Sequence, residues 1–153
     1  MALFFGTHVM RIDRKGRVSV PAPFRAALAG QAYQGIVALP SFKHPAIECG
    51  GMEWMERLSA GINDLDLFSD AQDDLKATLF ADARELAFDG EGRVLLPESL
   101  MAHAAITGEA AFVGMSKTFQ IWQPAAFNDH KASARERTLA ERRTLPPRKD
   151  GGS

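Results

Sequence analysis

Cysteine is almost missing from this chain. Its 153 residues include one, Cys49, so no internal disulfide can form, and the composition suits a reducing compartment. Long hydrophobic runs are missing too. No apolar stretch approaches the ~20 residues that a membrane span needs. Met1–Met10 has no basic start of the kind a signal peptide carries and is interrupted by Gly6 and His8. Catalytic signatures are also lacking: there is no nucleophile–base pair, P-loop or dinucleotide fingerprint, and Gly90-Glu91-Gly92 is too short to cradle phosphate. His8, His44, His103 and His130 have no Cys or carboxylate at ligand spacing, so neither a metal ion nor a cofactor is expected. Asp70, Asp73 and Asp74 lack the Gly and Glu of a calcium loop and read as a solvated helix face. Nothing here supports an enzyme.

A large net charge is absent as well, and the value of −1 hides an uneven distribution. Residues 1–50 carry six Lys/Arg against two Asp/Glu, residues 51–100 four against twelve, and residues 101–153 eight against five. A mildly acidic protein still binds nucleic acid when its basic groups share one surface. At 46% hydrophobic and 24% charged residues the composition is that of an ordinary soluble globular protein.

What the chain does have is a repeat. Asp13-Arg14-Lys15-Gly16-Arg17-Val18-Ser19-Val20-Pro21 returns as Asp89-Gly90-Glu91-Gly92-Arg93-Val94-Leu95-Leu96-Pro97. Asp, Gly, Arg, Val and Pro recur at the same five places, which makes an internal repeat rather than a chance motif. Met10 and Ile12 alternate with Arg11 and Asp13, and Val18 and Val20 with Arg17 and Ser19, at the period of a strand. The three residues between Asp and Arg end in Gly16 or Gly92, as a three-residue hairpin loop prefers when its last position is left-handed. Asp13 and Arg17 then face each other across the hairpin mouth. Pro21 and Pro97 end the strands and suit the first turn of a helix. Each half therefore reads strand, tight turn, strand, short helix, with Ala22–Leu28 and Glu98–Ala104 as the helices. A half of about 75 residues is near the lower limit for burying its own core, so the two are expected to pack together as a pseudo-dimer.

Two copies of D-x-x-x-R, each followed by a hydrophobic strand and Pro, resemble the MraZ family of bacterial transcriptional regulators. Phe5-Gly6-Thr7-His8-Val9, Glu53-Trp54 and Phe119-Gln120-Ile121-Trp122-Gln123-Pro124 extend the resemblance, which covers roughly residues 3 to 130. It implies an α+β fold of two tandem AbrB-like, swapped-hairpin, barrel-type repeats with short helices and a C-terminal helix. The expected division is a first repeat at 5–50, a helical connector at 51–82, a second repeat at 83–126, and a helix with a disordered tail at 127–153. The resemblance also implies a cytoplasmic, nucleoid-associated regulator that assembles as a ring of several subunits. It would bind double-stranded DNA at short direct repeats in the promoter of the division and cell-wall gene cluster containing its own gene. An AbrB-type, antitoxin-like module that binds another protein is the alternative.

For Arg11, Arg14, Lys15 and Arg17 two readings stand side by side: a solvated hairpin with a structural ion pair, or a surface that contacts phosphates and base edges. The resemblance favours the second. Asp13, repelled by phosphate, fixes the turn and orients Arg17. In the second motif Asp89, Gly92 and Arg93 keep the frame, but Glu91 makes the tip acidic, so Arg93 reads as a fold or oligomer-contact residue. The basic tail Arg135, Arg137, Arg142, Arg143, Arg148 and Lys149 is either a weak DNA-attracting arm or a solvated helix.

Elsewhere, Leu3–Ile12 reads as a strand bent at Gly6, and Ile36–Leu39 and Ala46–Cys49 as two more. Met52–Ala60 and Leu65–Asp82 read as helices, the second with a stripe of Leu67, Ala71, Leu75 and Leu79. Arg84–Phe88 and Arg93–Leu96 make the second hairpin. Ala111–Met115 and Thr118–Gln123 are the last strands, and Phe119, Ile121 and Trp122 read as core packing rather than as a stacking platform for single strands. A final helix starts near Pro124 and ends before Pro146-Pro147 and Gly151-Gly152-Ser153, which are expected to be disordered.

Overall fold

The computed structural model describes residues 3–141. The first half runs β1 (Thr7–Arg11), β2 (Arg17–Ser19), α1 (Ala22–Ala27), β3 (Gly35–Pro40) and β4 (Ala46–Gly50). A helical middle follows: α2 (Met52–Asn63), α3 (Asp70–Leu75) and a π-helical turn, Lys76–Phe80. The second half repeats the first with β5 (Arg84–Ala87), β6 (Arg93–Leu95), α4 (Glu98–His103), β7 (Glu109–Gly114) and β8 (Phe119–Trp122), closed by α5 (Pro124–Ala140). Pro21 and Pro97 stand immediately before α1 and α4, as their fixed φ dictates.

The two halves are interleaved. Six strands form one antiparallel sheet in the order β1-β7-β8-β4-β3-β5, and β2 and β6 pair separately as a two-stranded ribbon. The order is a palindrome of the repeat: β1 lies on β7 as β5 lies on β3, with β8 and β4 paired at the centre. This is the α+β, swapped-hairpin architecture that the resemblance implied.

One expectation needs correction. The strands flanking each turn do not pair along their lengths as a local hairpin. Between the first pair only the bridge Ile12↔Val18 remains, with the Asp13 amide donating to the Arg17 carbonyl at 2.9 Å. β1 instead makes five register pairs with β7, from Thr7↔Val113 to Arg11↔Glu109. Arg84–Ala87 likewise lies against β3 rather than against Arg93–Leu95. The alternation that suits a local hairpin suits an exchanged arm equally, and the exchange gives each arm a longer partner while the ribbon closes over the core.

That core is shared by both halves. Phe4, Phe24 and Phe119 pack with ring centroids 5.0–5.3 Å apart, with Phe112 beyond them. Val18, Val20, Val94 and Leu96 close it from beneath the ribbon, all nearly fully buried. Each such side chain contributes about 1.5–3 kcal/mol of burial. Phe119, Ile121 and Trp122 are core residues, as their pattern suggested.

Three element boundaries differ from expectation. The first strand starts at Thr7, because Gly6 at φ +87° turns the chain and leaves Phe4 only a bridge to Ser116. The helix from Met52 runs on to Asn63. Leu65–Asp82 is not one helix: Leu65–Ser69 is a loop, Ser69 caps α3 by accepting from the Gln72 amide at 3.1 Å, and α3 passes into the π-helical turn. The leucine stripe is not a core seam. Leu67 and Ala71 are exposed and Gln72 is buried, its side-chain amide donating to the carbonyls of Ile62 and Leu65. Capping by Ser69 outweighed the apolar periodicity. The tail expectations from Arg142 onward lie outside the described residues.

Candidate nucleic-acid interface

The two motifs build turns of one design. In the first, Oδ1 of Asp13 accepts from the amides of Lys15 and Arg17, both at 2.9 Å, and Oδ2 accepts from Arg17 Nε at 2.7 Å. The Gly16 amide donates to the Asp13 carbonyl at 3.0 Å, and Gly16 sits at φ +87°. In the second, Asp89 accepts from the amides of Glu91 and Arg93 and from Arg93 Nε, at 2.9–3.0 Å, and Gly92 sits at φ +76°. A carboxylate three atoms from its own backbone can satisfy three donors only if the chain folds back at once, which requires the left-handed glycine.

These bonds hold both carboxyls below their ordinary value. For Asp13 the largest cause is the Arg17 amide, opposed by a desolvation effect and helped by the Arg17 side chain and the Lys15 amide. For Asp89 the Arg93 amide leads in the same way.

The ribbon sets the direction of the arginines. Arg17 is opposite Leu95, Val18 opposite Val94, and Ser19 opposite Arg93. Val18 and Val94 point into the core, so Arg17, Ser19, Arg93 and Leu95 share the outer face. Arg17 and Arg93 are diagonal neighbours there, a separation of roughly 7–8 Å in such a ribbon. The Asp13 carboxylate adds to the forces that hold Arg93 protonated, of which the Asp89 hydrogen bond is the largest. The swap thus brings onto one face two arginines that lie 76 positions apart in sequence.

The two tips are unlike in charge. Around Arg17 the loop adds Arg14 and Lys15, both exposed, to one carboxylate. Around Arg93 it adds Glu91, whose Oε2 lies 3.5 Å from Arg93 Nη1. Arg17 spends only Nε on Asp13, and neither of its terminal nitrogens has a partner among the described residues. Arg11 lies at the end of β1, exposed and in register with Glu109, next to the Ile12↔Val18 bridge that joins the sheet to the ribbon.

Sequence reasoning missed Arg25. From α1 its Nε donates to the Val20 carbonyl at 3.0 Å, and its guanidinium lies over Gly92, so that a Cβ there would come within 2.7–2.8 Å of it. It pins the second tip to the first half. The equivalent repeat position is Met101, which lines a cavity beside Arg14 and Lys15 with Glu98, so among the described residues the first tip has no such clamp. Only the break in the repeat at Arg25/Met101 could have signalled this difference.

A buried ribbon underside, a charged outer face and two Asp–Gly–Arg turns define a two-repeat, swapped-hairpin protein. Residues 79–146 match a family model described as "MraZ protein, putative antitoxin-like". The chain is 44% identical to a transcriptional regulator MraZ of Gluconacetobacter diazotrophicus, over 100% of this chain and 99% of that one. It is 47% identical to proteins of the same name from Gluconobacter oxydans, over 94% and 90% of the two chains, and from Rickettsia bellii, over 88% and 89%. The chain belongs to the MraZ family. The role printed for these relatives, regulation of transcription, is not an enzymatic one.

Proposed function

We propose that this chain regulates transcription by binding double-stranded DNA through the first tip and the outer face of the ribbon. The observation that carries the reading is Arg17: Asp13 fixes its Nε, and its terminal nitrogens have no partner among the described residues. A guanidinium so oriented has its fork ready for the O6 and N7 of a guanine, and a two-stranded ribbon fits the major groove of B-DNA. Arg14 and Lys15 flank it as phosphate contacts, and Arg11 on the sheet serves as an outlying one. Arg93 lies on the same face, but Glu91 and Asp89 occupy its charge, so its part is to hold the ribbon.

In this reading the targets are short direct repeats in the promoter of the chain's own division and cell-wall gene cluster. The protein acts in the cytoplasm, associated with the nucleoid. It works as a homo-oligomeric ring, supported by two sheet edges, β1 and β5, that have no outer partner among the described residues. Among those residues no helix is long and apolar enough to cross a membrane.

Footprinting on the DNA upstream of its own gene tests the reading. Evenly spaced protected repeats are expected, with Lys15→Ala reducing the salt slope by about one per subunit. Uniform, unspaced protection would refute sequence-specific binding. The words "antitoxin-like" in the family's description favour one second reading, a protein-binding module. Co-purification of a stoichiometric small protein together with absence of a footprint would establish that instead.

A further inference from the structure

The loop between α2 and α3 presents apolar side chains that nothing in the described chain covers. Leu67 is 71% exposed and Phe68 91%. The loop is nonetheless held by hydrogen bonds at both ends. The Ser69 amide donates to the Asp66 carbonyl at 3.0 Å, and Gln72 ties it down through the Leu65 carbonyl. Phe68 holds φ +64°, a conformation that costs an aromatic residue on the order of 1 kcal/mol. Asp64, Asp66 and Asp70 flank the two residues in the chain with negative charge.

At the other end of α2 lies a cavity of about 290 Å³, with room for a phenylalanine ring. Phe4, Leu28 and Trp54 form its apolar wall and Gln31 adds an amide; Arg57 and Lys117 with the single carboxylate of Glu53 leave its rim with a net positive charge. Arg57 keeps only a 3.5 Å exposed contact with Glu53, and Lys117 has no partner among the described residues. Apolar tip and acidic flank on the one side meet apolar wall and basic rim on the other. Within the described chain they do not meet: the cavity lies along the first half of α2, Glu53 to Arg57, and the loop follows its far end at Asn63.

We propose that Leu67 and Phe68 of one copy insert into the Phe4–Leu28–Trp54 cavity of the next, with Asp66 and its neighbours against Arg57 and Lys117. The inference rests on the homo-oligomer proposed above and names its junction. Such a contact is heterologous, so copies add head to tail, and the assembly is a closed ring or an open filament according to the rotation per step.

The test is the mass of the full chain by light scattering at micromolar concentration. Wild type is expected at several times 16.7 kDa. Phe68→Asp, in a loop with no core contact, is expected to fall to a single chain with unchanged circular dichroism, as is Arg57→Glu/Lys117→Glu. Mixing the two variants leaves one sound junction per pair, so a species of about twice 16.7 kDa is expected and nothing larger. A monomeric wild type would overturn both the oligomer and its junction. An assembled wild type with an equally assembled Phe68→Asp would overturn the junction alone, as would two monomeric variants that fail to pair. An unchanged Phe68→Asp mass with disassembly of a chain ended after Glu141 would give the cavity to residues 142–153 instead.

Discussion

Gly16 and Gly92 close turns of the same design, yet substitution is expected to affect them unequally. A Cβ on Gly16 meets only ordinary contacts at 3.5 Å, so Gly16→Ala suffers the left-handed strain alone, about 1–2 kcal/mol. A Cβ on Gly92 must also displace Arg25, which disturbs its bond to the Val20 carbonyl. Urea unfolding should therefore rank Gly92→Ala as the more damaging, and equal losses would show that Arg25 is not a clamp. The aspartates lead to a pH prediction. Asp13 and Asp89 are held below their ordinary value of 3.8 in the folded state, so the unfolded chain binds more protons between the two values. Their stabilisation is complete above 3.8 and is lost as pH falls through the lower folded values. Asp13→Asn/Asp89→Asn should melt below wild type at pH 7 and converge with it on acidification below 3.8. A difference that stays constant down to pH 2 would contradict this account.

The ribbon of β2 and β6 is three residue pairs long, too short to hold itself together in water. It survives because Val18 and Val94, opposite one another, are both 1% exposed beneath it. Val94→Ala removes two buried methyl groups and should destabilise by about 2 kcal/mol, the transfer loss plus a small cavity. A loss under about 0.5 kcal/mol on chemical unfolding would mean the ribbon is held otherwise, since exposed sites behave that way. What the sequence made legible here was local. Asp-to-Arg spacing, the closing glycine and the prolines act within a few residues, and the turns and the helices Ala22–Ala27 and Glu98–His103 were readable from them. Partner choice was not legible. Thr7–Arg11 carries the same alternation whether it pairs with its own turn or with Glu109–Gly114, and period says nothing about distance along the chain. The stripe Leu67–Leu79 misled for a similar reason, because Ser69 could restart the helix out of phase.

Interleaving has a consequence for the molecule as a whole. Among the described residues β1 takes β7 as its strand partner and β2 takes β6, so the first half alone loses the partners of both. Residues 1–82 are expected to lack a cooperative transition as a monomer and to fold only by pairing with a second copy. A monomeric fragment with a sharp melt would contradict the shared core. The same interleaving places Arg17 and Arg93 on one face with opposite surroundings, and the DNA-binding account rests on that contrast. The most direct test is the affinity of Arg17→Ala for DNA from upstream of its own gene, by fluorescence anisotropy at fixed salt, beside wild type and Arg93→Ala. One arginine–guanine contact is worth about 1–3 kcal/mol, roughly five- to 150-fold per site, and more when several subunits bind together. The predicted result is a folded, assembled Arg17→Ala that no longer binds, and an Arg93→Ala that is less stable but still does. An intact Arg17→Ala with wild-type affinity, or an intact Arg93→Ala without any, would contradict it.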